Sequence, residues 1–150
     1  MGDAREFWNS VDDYGRVFNV YDSGTAEKIK AHLKGFPSGF AVADFGCGHG
    51  HLLPFLSSRF EQVIAVDFAE KCLAKAKERC AVQNIGFWQL DMRDLSPLYG
   101  AVDLAVSINS ILPETVADAD KIISEIFKCL KRGGKFVGVL PAMDVVIYFA

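Results

Sequence analysis

Apolar runs of strand length alternate with amphipathic stretches of helix length along most of this chain, and that alternation predicts a βα repeat. The runs occupy residues 42–45, 62–68, 85–90, 102–107 and 136–140. Between them, helices are expected from about 51 to 59, from about 69 to 82 and from 117 to 130. In the second of these, Leu73, Ala76 and Cys80, with Cys72 beside them, form an inward stripe, while Lys71, Lys75, Lys77 and Glu78 face outward. The pair Gly133-Gly134 is placed to stop the third helix before the last run. Successive βα units imply right-handed crossovers, hence a parallel sheet with helices on both faces. Residues 5 to 33 read as helical, broken near Tyr21-Asp22-Ser23-Gly24, where Ser23 or Thr25 is placed to cap a new helix through Lys34. Gly35-Phe36-Pro37-Ser38-Gly39 then punctuates. The leader carries Phe7, Trp8, Tyr14, Phe18 and Tyr21, which read as a face packed on the sheet layer. Residues 144–150 suit a strand or the opening turns of a helix, and so short a run does not decide.

The most informative segment is Val42-Ala43-Asp44-Phe45-Gly46-Cys47-Gly48-His49-Gly50-His51, an apolar run that closes on an acid and is followed by three alternating glycines. Glycine permits positive φ and lacks a β-carbon, so a bulky ligand can lie against the backbone where a helix begins. The dinucleotide fingerprint G-x-G-x-x-G/A requires a small third residue for helix packing, and His51 stands there instead. Asp67 closes the second run, and Asp91-Met92 follows the third. In an open α/β sheet the ligand crevice lies outside the carboxyl ends of the strands, where an acid after the second strand can accept ribose hydroxyls. Asp44, Asp67 and Asp91 in one crevice would create a negative potential that suits a cation better than a pyrophosphate.

The pattern acid-x-G-x-G-x-G resembles motif I of the class I S-adenosylmethionine-dependent methyltransferases. Later segments are similar to that family's motifs in the same order: Asp67, then Asp91-Met92, then Ser107-Ile108-Asn109-Ser110 after strand four, then Leu130-Lys131-Arg132-Gly133-Gly134-Lys135 before strand five. The resemblance covers residues 40 to 141 and implies an α/β, three-layer, doubly wound, mainly parallel sheet of order 3-2-1-4-5. Residues 1–39 would form an N-terminal helical segment and 40–150 the S-adenosylmethionine-binding domain. It further implies that Asp44, Gly46, Cys47 and Gly48 meet the methionine moiety and that Asp67 takes the ribose hydroxyls. Phe68 would lie against the adenine face, Asp91 would accept from its amine, and the Met92 backbone would approach a ring nitrogen. Ser107 and Asn109 would face the transferred methyl. In many family members an N-terminal helical segment covers the cofactor, which makes Tyr14 and Phe18 candidates for the border of the methyl site. The family's sixth and seventh strands have no counterpart in this sequence, so the domain reads as incomplete at its C-terminal end. Strand five or the apolar tail would then be an open edge, prone to self-association.

At 150 residues the chain suits one domain. A net charge of -3 and the lack of a basic stripe leave no electrostatic footprint for nucleic acid. No Asp/Asn-Pro-Pro-Tyr segment follows strand four, where the amino-methyltransferases of nucleic acid bases carry one. A small-molecule acceptor is therefore expected. No apolar run approaches the roughly 18 residues that span a bilayer, and the polar residues 1–6 are unlike a signal peptide, so a cytoplasmic protein is expected. Cys47, Cys72, Cys80 and Cys129 lack C-x-x-C spacing and are expected as free thiols. Alternate residues of a tight loop diverge, so Cys47, His49 and His51 are not expected to hold a metal; His32 reads as a surface or packing residue. The predicted function is methyl transfer by in-line displacement, in which the leaving group is already activated. The protein's task is then alignment and exclusion of water, and no residue is singled out as catalytic. The alternative is a non-catalytic or incomplete cofactor-binding domain that needs a partner or a C-terminal segment. A nicotinamide oxidoreductase is disfavoured by His51.

Overall fold

The computed structural model describes residues 4–10 and 24–140. Its five strands are β1 (Ala41–Phe45), β2 (Gln62–Asp67), β3 (Ile85–Gln89), β4 (Val102–Ile108) and β5 (Leu130–Val139). They form one sheet of order β3-β2-β1-β4-β5, and every neighbouring pair is parallel, as expected. All five residues of β1 are buried, because a central strand covered on both faces has no solvent side. The edge strands β3 and β5 have no buried residue and are instead half-buried or exposed throughout.

Alternation along the strands sorts the core into two layers. On one face Val42, Val63, Ala65, Leu104 and Val106 pack with Ile29 and Leu33 of α2 (Thr25–Leu33), Leu53 and Leu56 of α3 (Leu53–Arg59), and Leu73 and Ala76 of α4 (Glu70–Arg79). On the other, Ala43, Phe45, Ile64, Val66 and Ala105 meet Ile122, Ile126 and Cys129 of α5 (Val116–Cys129), with Leu95 and Leu98 from the β3–β4 connection. Asp44 and Asp67 share strand parity with Val42 and Val63, so both fall on the α2–α4 side as the sheet ends.

Several local expectations shift. The cap of α2 is Gly24 at φ 74° with no side-chain bond, rather than Thr25; Ser23 lies outside the described residues. Helix α4 stops at Arg79, because Cys80 has already left helical geometry. Gly133-Gly134 do not end α5: Leu130 is already extended, and the glycines fall where the β4–β5 register jumps from Val102↔Leu130 to Leu104↔Lys135. The four cysteines are free and buried. Among the described residues no helix is long and apolar enough to cross a membrane.

Candidate functional site

The glycine loop after β1 is tied to the end of β2. The Gly46 and Cys47 amides both donate to the Val66 carbonyl, at 2.8 and 2.9 Å, and the Gly48 amide donates to Asp67 Oδ2 at 2.9 Å. The other Asp67 oxygen accepts from the Ala69 amide at 2.9 Å. Asp67 is thereby fixed at the mouth of the sheet with only 6% of its surface exposed. Burial pushes its carboxyl up, and the Ala69, Gly48 and Phe68 amides partly offset that. Three amides on about four acceptor sites leave room for a further donor.

Asp44 differs in kind. It is 3% exposed, and among the described residues its carboxylate has no hydrogen-bond donor. Burial first, and the neighbouring Asp67 charge second, push it up to about 7. Two acids therefore share a poorly solvated corner. The third expected member, Asp91, does not join them: the Arg93 guanidinium binds it, with Nη2 2.7 Å from Oδ2, and holds its carboxyl below the usual range. The negative potential expected from three acids comes from Asp44 and Asp67.

These elements frame a cleft enclosing about 400 Å³, solvent-side space included, lined by Trp8, Gly46, Asp67, Phe68, Cys72, Met92, Asn109 and Ser110. Of the expected site residues, Gly46, Asp67, Phe68, Met92 and Asn109 are thus brought together. Cys47 and Ser107 are buried and do not line the cleft, and burial pushes the Cys47 thiol well above its usual value. Trp8, Cys72 and Ser110 are cleft residues that sequence reasoning had not assigned. Tyr14 and Phe18 lie outside the described residues.

Asn109 is the only non-glycine residue with positive φ (50°) among those described. Its amide donates to the Val139 carbonyl at 2.7 Å, while its Oδ1 is buried with no donor among the described residues. Buried acceptors normally find partners, so this atom is suited to a donor brought by a ligand. The Ser107 hydroxyl is likewise buried and without a partner.

The glycines have reasons the sequence did not disclose. A β-carbon on Gly46 would collide with the Ser110 side chain, whose hydroxyl donates to the Gly46 and Ile108 carbonyls at 2.8 Å. A β-carbon on Gly50 would meet Ala76 at 3.0 Å, so this third glycine lets α4 close on the loop. Gly46 also lines the cleft, so its missing β-carbon leaves room for the turn after β4 beside the site. His49 and His51 stack at 6.4 Å, and among the described residues no group of three potential ligands could hold a metal.

The cleft thus offers carboxylate and amide acceptors and apolar walls, with no Lys or Arg among the described residues that line it. That donor–acceptor set fits the ribose diol and the cationic sulfonium of S-adenosylmethionine.

Comparison with known proteins agrees. A family model described as "Methyltransferase domain" matches residues 42–134, well over half of the chain. The mRNA cap guanine-N(7) methyltransferase of Schizosaccharomyces pombe is 24% identical over 98% of this chain and 44% of its own length. The ubiquinone/menaquinone biosynthesis C-methyltransferase UbiE of Desulfotalea psychrophila is 30% identical over 76% of this chain and 47% of its own. Among solved structures, the DhpI–SAH complex superposes with a TM-score of 0.75 at 19% identity, covering 93% of this chain and 69% of that one, and so shares the fold. The chain spans about half the length of the curated relatives it matches. With the sheet order, the loop and the family match in agreement, this chain belongs to the class I S-adenosylmethionine-dependent methyltransferases, as a Rossmann-like domain.

Proposed function

We propose that this chain binds S-adenosylmethionine in the cleft at the carboxyl ends of β1, β2 and β4 and directs methyl transfer to a small-molecule acceptor. The observation that carries the reading is Asp67: a buried carboxylate held by the Gly48 and Ala69 amides, with acceptor capacity left over, on a residue that lines the cleft. In this reading Asp67 receives the ribose hydroxyls, while Phe68 and Met92 flank the adenine. The loop from Gly46 to Gly48, with Cys47 and Asp44 behind it, holds the methionine end. Asn109 offers its orphaned Oδ1 to a donor of the cofactor or acceptor, and the buried Ser107 hydroxyl supports the same strand end. Asp91, paired with Arg93, acts at the adenine rim.

When bound, S-adenosylmethionine supplies a methyl group on a sulfonium that is already a good leaving group. The chain's own residues then need only fix the acceptor in line and keep water out, which Trp8, Phe68, Met92 and Cys72 are suited to do. The apolar walls formed by Trp8, Phe68, Cys72 and Met92 support a small-molecule acceptor. Calorimetric titration with S-adenosylhomocysteine and with NADH tests the site: the former is expected to bind and the latter not. Failure to bind S-adenosylhomocysteine overturns the reading. Labelled methyl transfer to a quinol is expected in preference to a guanosine-capped oligonucleotide, and the reverse preference overturns the small-molecule assignment.

A further inference from the structure

We infer that Asn9 is a positioning residue for the cleft: from α1 (Ala4–Ser10) it caps the N-terminus of α4 and so seats Trp8 as a cleft wall. The inference rests on the cofactor reading above for what the cleft binds. Helix α4 begins at Glu70, directly after Asp67 and Phe68, and its first amides need acceptors from outside the helix. The residue in the cap position is Ala69, which has no side-chain acceptor and whose own amide is committed to Asp67. The missing acceptor comes from a different helix: Asn9 Oδ1 receives the Lys71 amide at 3.1 Å, across 62 positions of sequence. Asparagine is among the best acceptors for this role, and here it serves a helix other than its own.

The residue before Asn9 makes the matching contact. The Trp8 carbonyl accepts from Cys72 Sγ at 3.7 Å, so two consecutive residues of α1 engage two consecutive residues of α4. Trp8 and Cys72 both line the cleft. Seven residues are too few for a helix to persist alone, and Phe7 is 53% exposed, so apolar burial of Phe7 does not anchor α1. The polar contacts from Asn9 and the Trp8 carbonyl to α4 hold α1 beside the cleft.

The chain has two tryptophans, and the other, Trp88, is 41% exposed on β3 and outside the cleft lining. Trp88→Phe therefore leaves Trp8 as the sole reporter. In that background, acrylamide quenching of Trp8 and its fluorescence response to S-adenosylhomocysteine are measured for Asn9→Ala and Asn9→Asp. Asn9→Ala is expected to raise quenching and weaken binding about fivefold, and Asn9→Asp, which keeps a capping oxygen, to restore both. Parental quenching and affinity in Asn9→Ala would overturn the inference, whatever happens to thermal stability. Loss of both in Asn9→Asp as well would also overturn it. A Trp88→Phe parent that fails to bind S-adenosylhomocysteine sinks the cofactor reading, while the quenching comparison still decides the role of Asn9.

Discussion

Two buried acidic centres lie on opposite faces of this sheet, and they have been treated in opposite ways. Glu125, on α5, is 1% exposed and fully partnered. It accepts the Leu95 amide at 2.9 Å, the Tyr99 hydroxyl at 2.7 Å, Lys128 Nζ at 2.8 Å and Lys121 Nζ at 3.3 Å. Burial alone would raise its carboxyl, yet Lys128, Leu95, Tyr99 and Lys121 together outweigh burial and hold it at about 2. Asp44, equally buried and beside Asp67, has no donor among the described residues and is pushed up to about 7. A carboxylate satisfied by protein groups serves the fold, here by tying the β3–β4 connection to α5. One left unsatisfied beside a second acid costs stability and persists where a ligand supplies the missing charge.

The largest expected effect breaks the first centre. Glu125→Ala leaves the Leu95 amide and Tyr99 hydroxyl without their acceptor and should lower unfolding stability by about 2–4 kcal/mol in urea denaturation. Ligand affinity should change far less than stability, and a loss below about 1 kcal/mol would deny the centre its structural role. Asp67→Ala should do the reverse. Weakened S-adenosylhomocysteine binding by about 1–3 kcal/mol is expected by calorimetry, because ribose hydroxyls would lose their acceptor. Unchanged affinity would remove Asp67 from the site.

The contrast between the centres also marks what the sequence could disclose. Asp67 was legible because it closes an apolar run at the end of a strand, and strand ends in a parallel sheet form the crevice. The sheet order followed from the sequence of motifs. Glu125 was not legible: it sits between Lys121 and Lys128 on an amphipathic helix and reads as part of a solvated face until Leu95 and Tyr99 fold against it. Gly46 was recognised, but one further reason for it lies in Ser110, 64 positions later. Asn9 and Trp8 escaped for the same cause, since their contacts to α4 cross more than 60 residues. Asp91 was placed at the right strand end, and only the fold shows Arg93 turning back on it. The helix ends moved by a few residues where caps, rather than periodicity, set the boundary.

The two centres have opposite pH signs. Glu125, held below its ordinary value, contributes stability above about pH 4.5 that is lost as pH falls toward 2. Asp44, raised above its ordinary 3.8, contributes stability that is complete below that value and is lost as pH rises through about 7. A cation in the cleft favours ionised Asp44, so affinity for a cation should rise across the same window.

S-adenosylmethionine and S-adenosylhomocysteine differ by one methyl group and the positive charge it creates, which isolates that effect. The decisive measurement is the ratio of their affinities at pH 6 and pH 8, in the wild type and in Asp44→Asn. Preference for the sulfonium should grow about fivefold between the two pH values in the wild type and stay flat in Asp44→Asn. An equal ratio at both pH values in the wild type, or an undiminished rise in Asp44→Asn, would contradict the claim that the buried Asp44, beside the cleft residue Asp67, is kept for a cationic ligand.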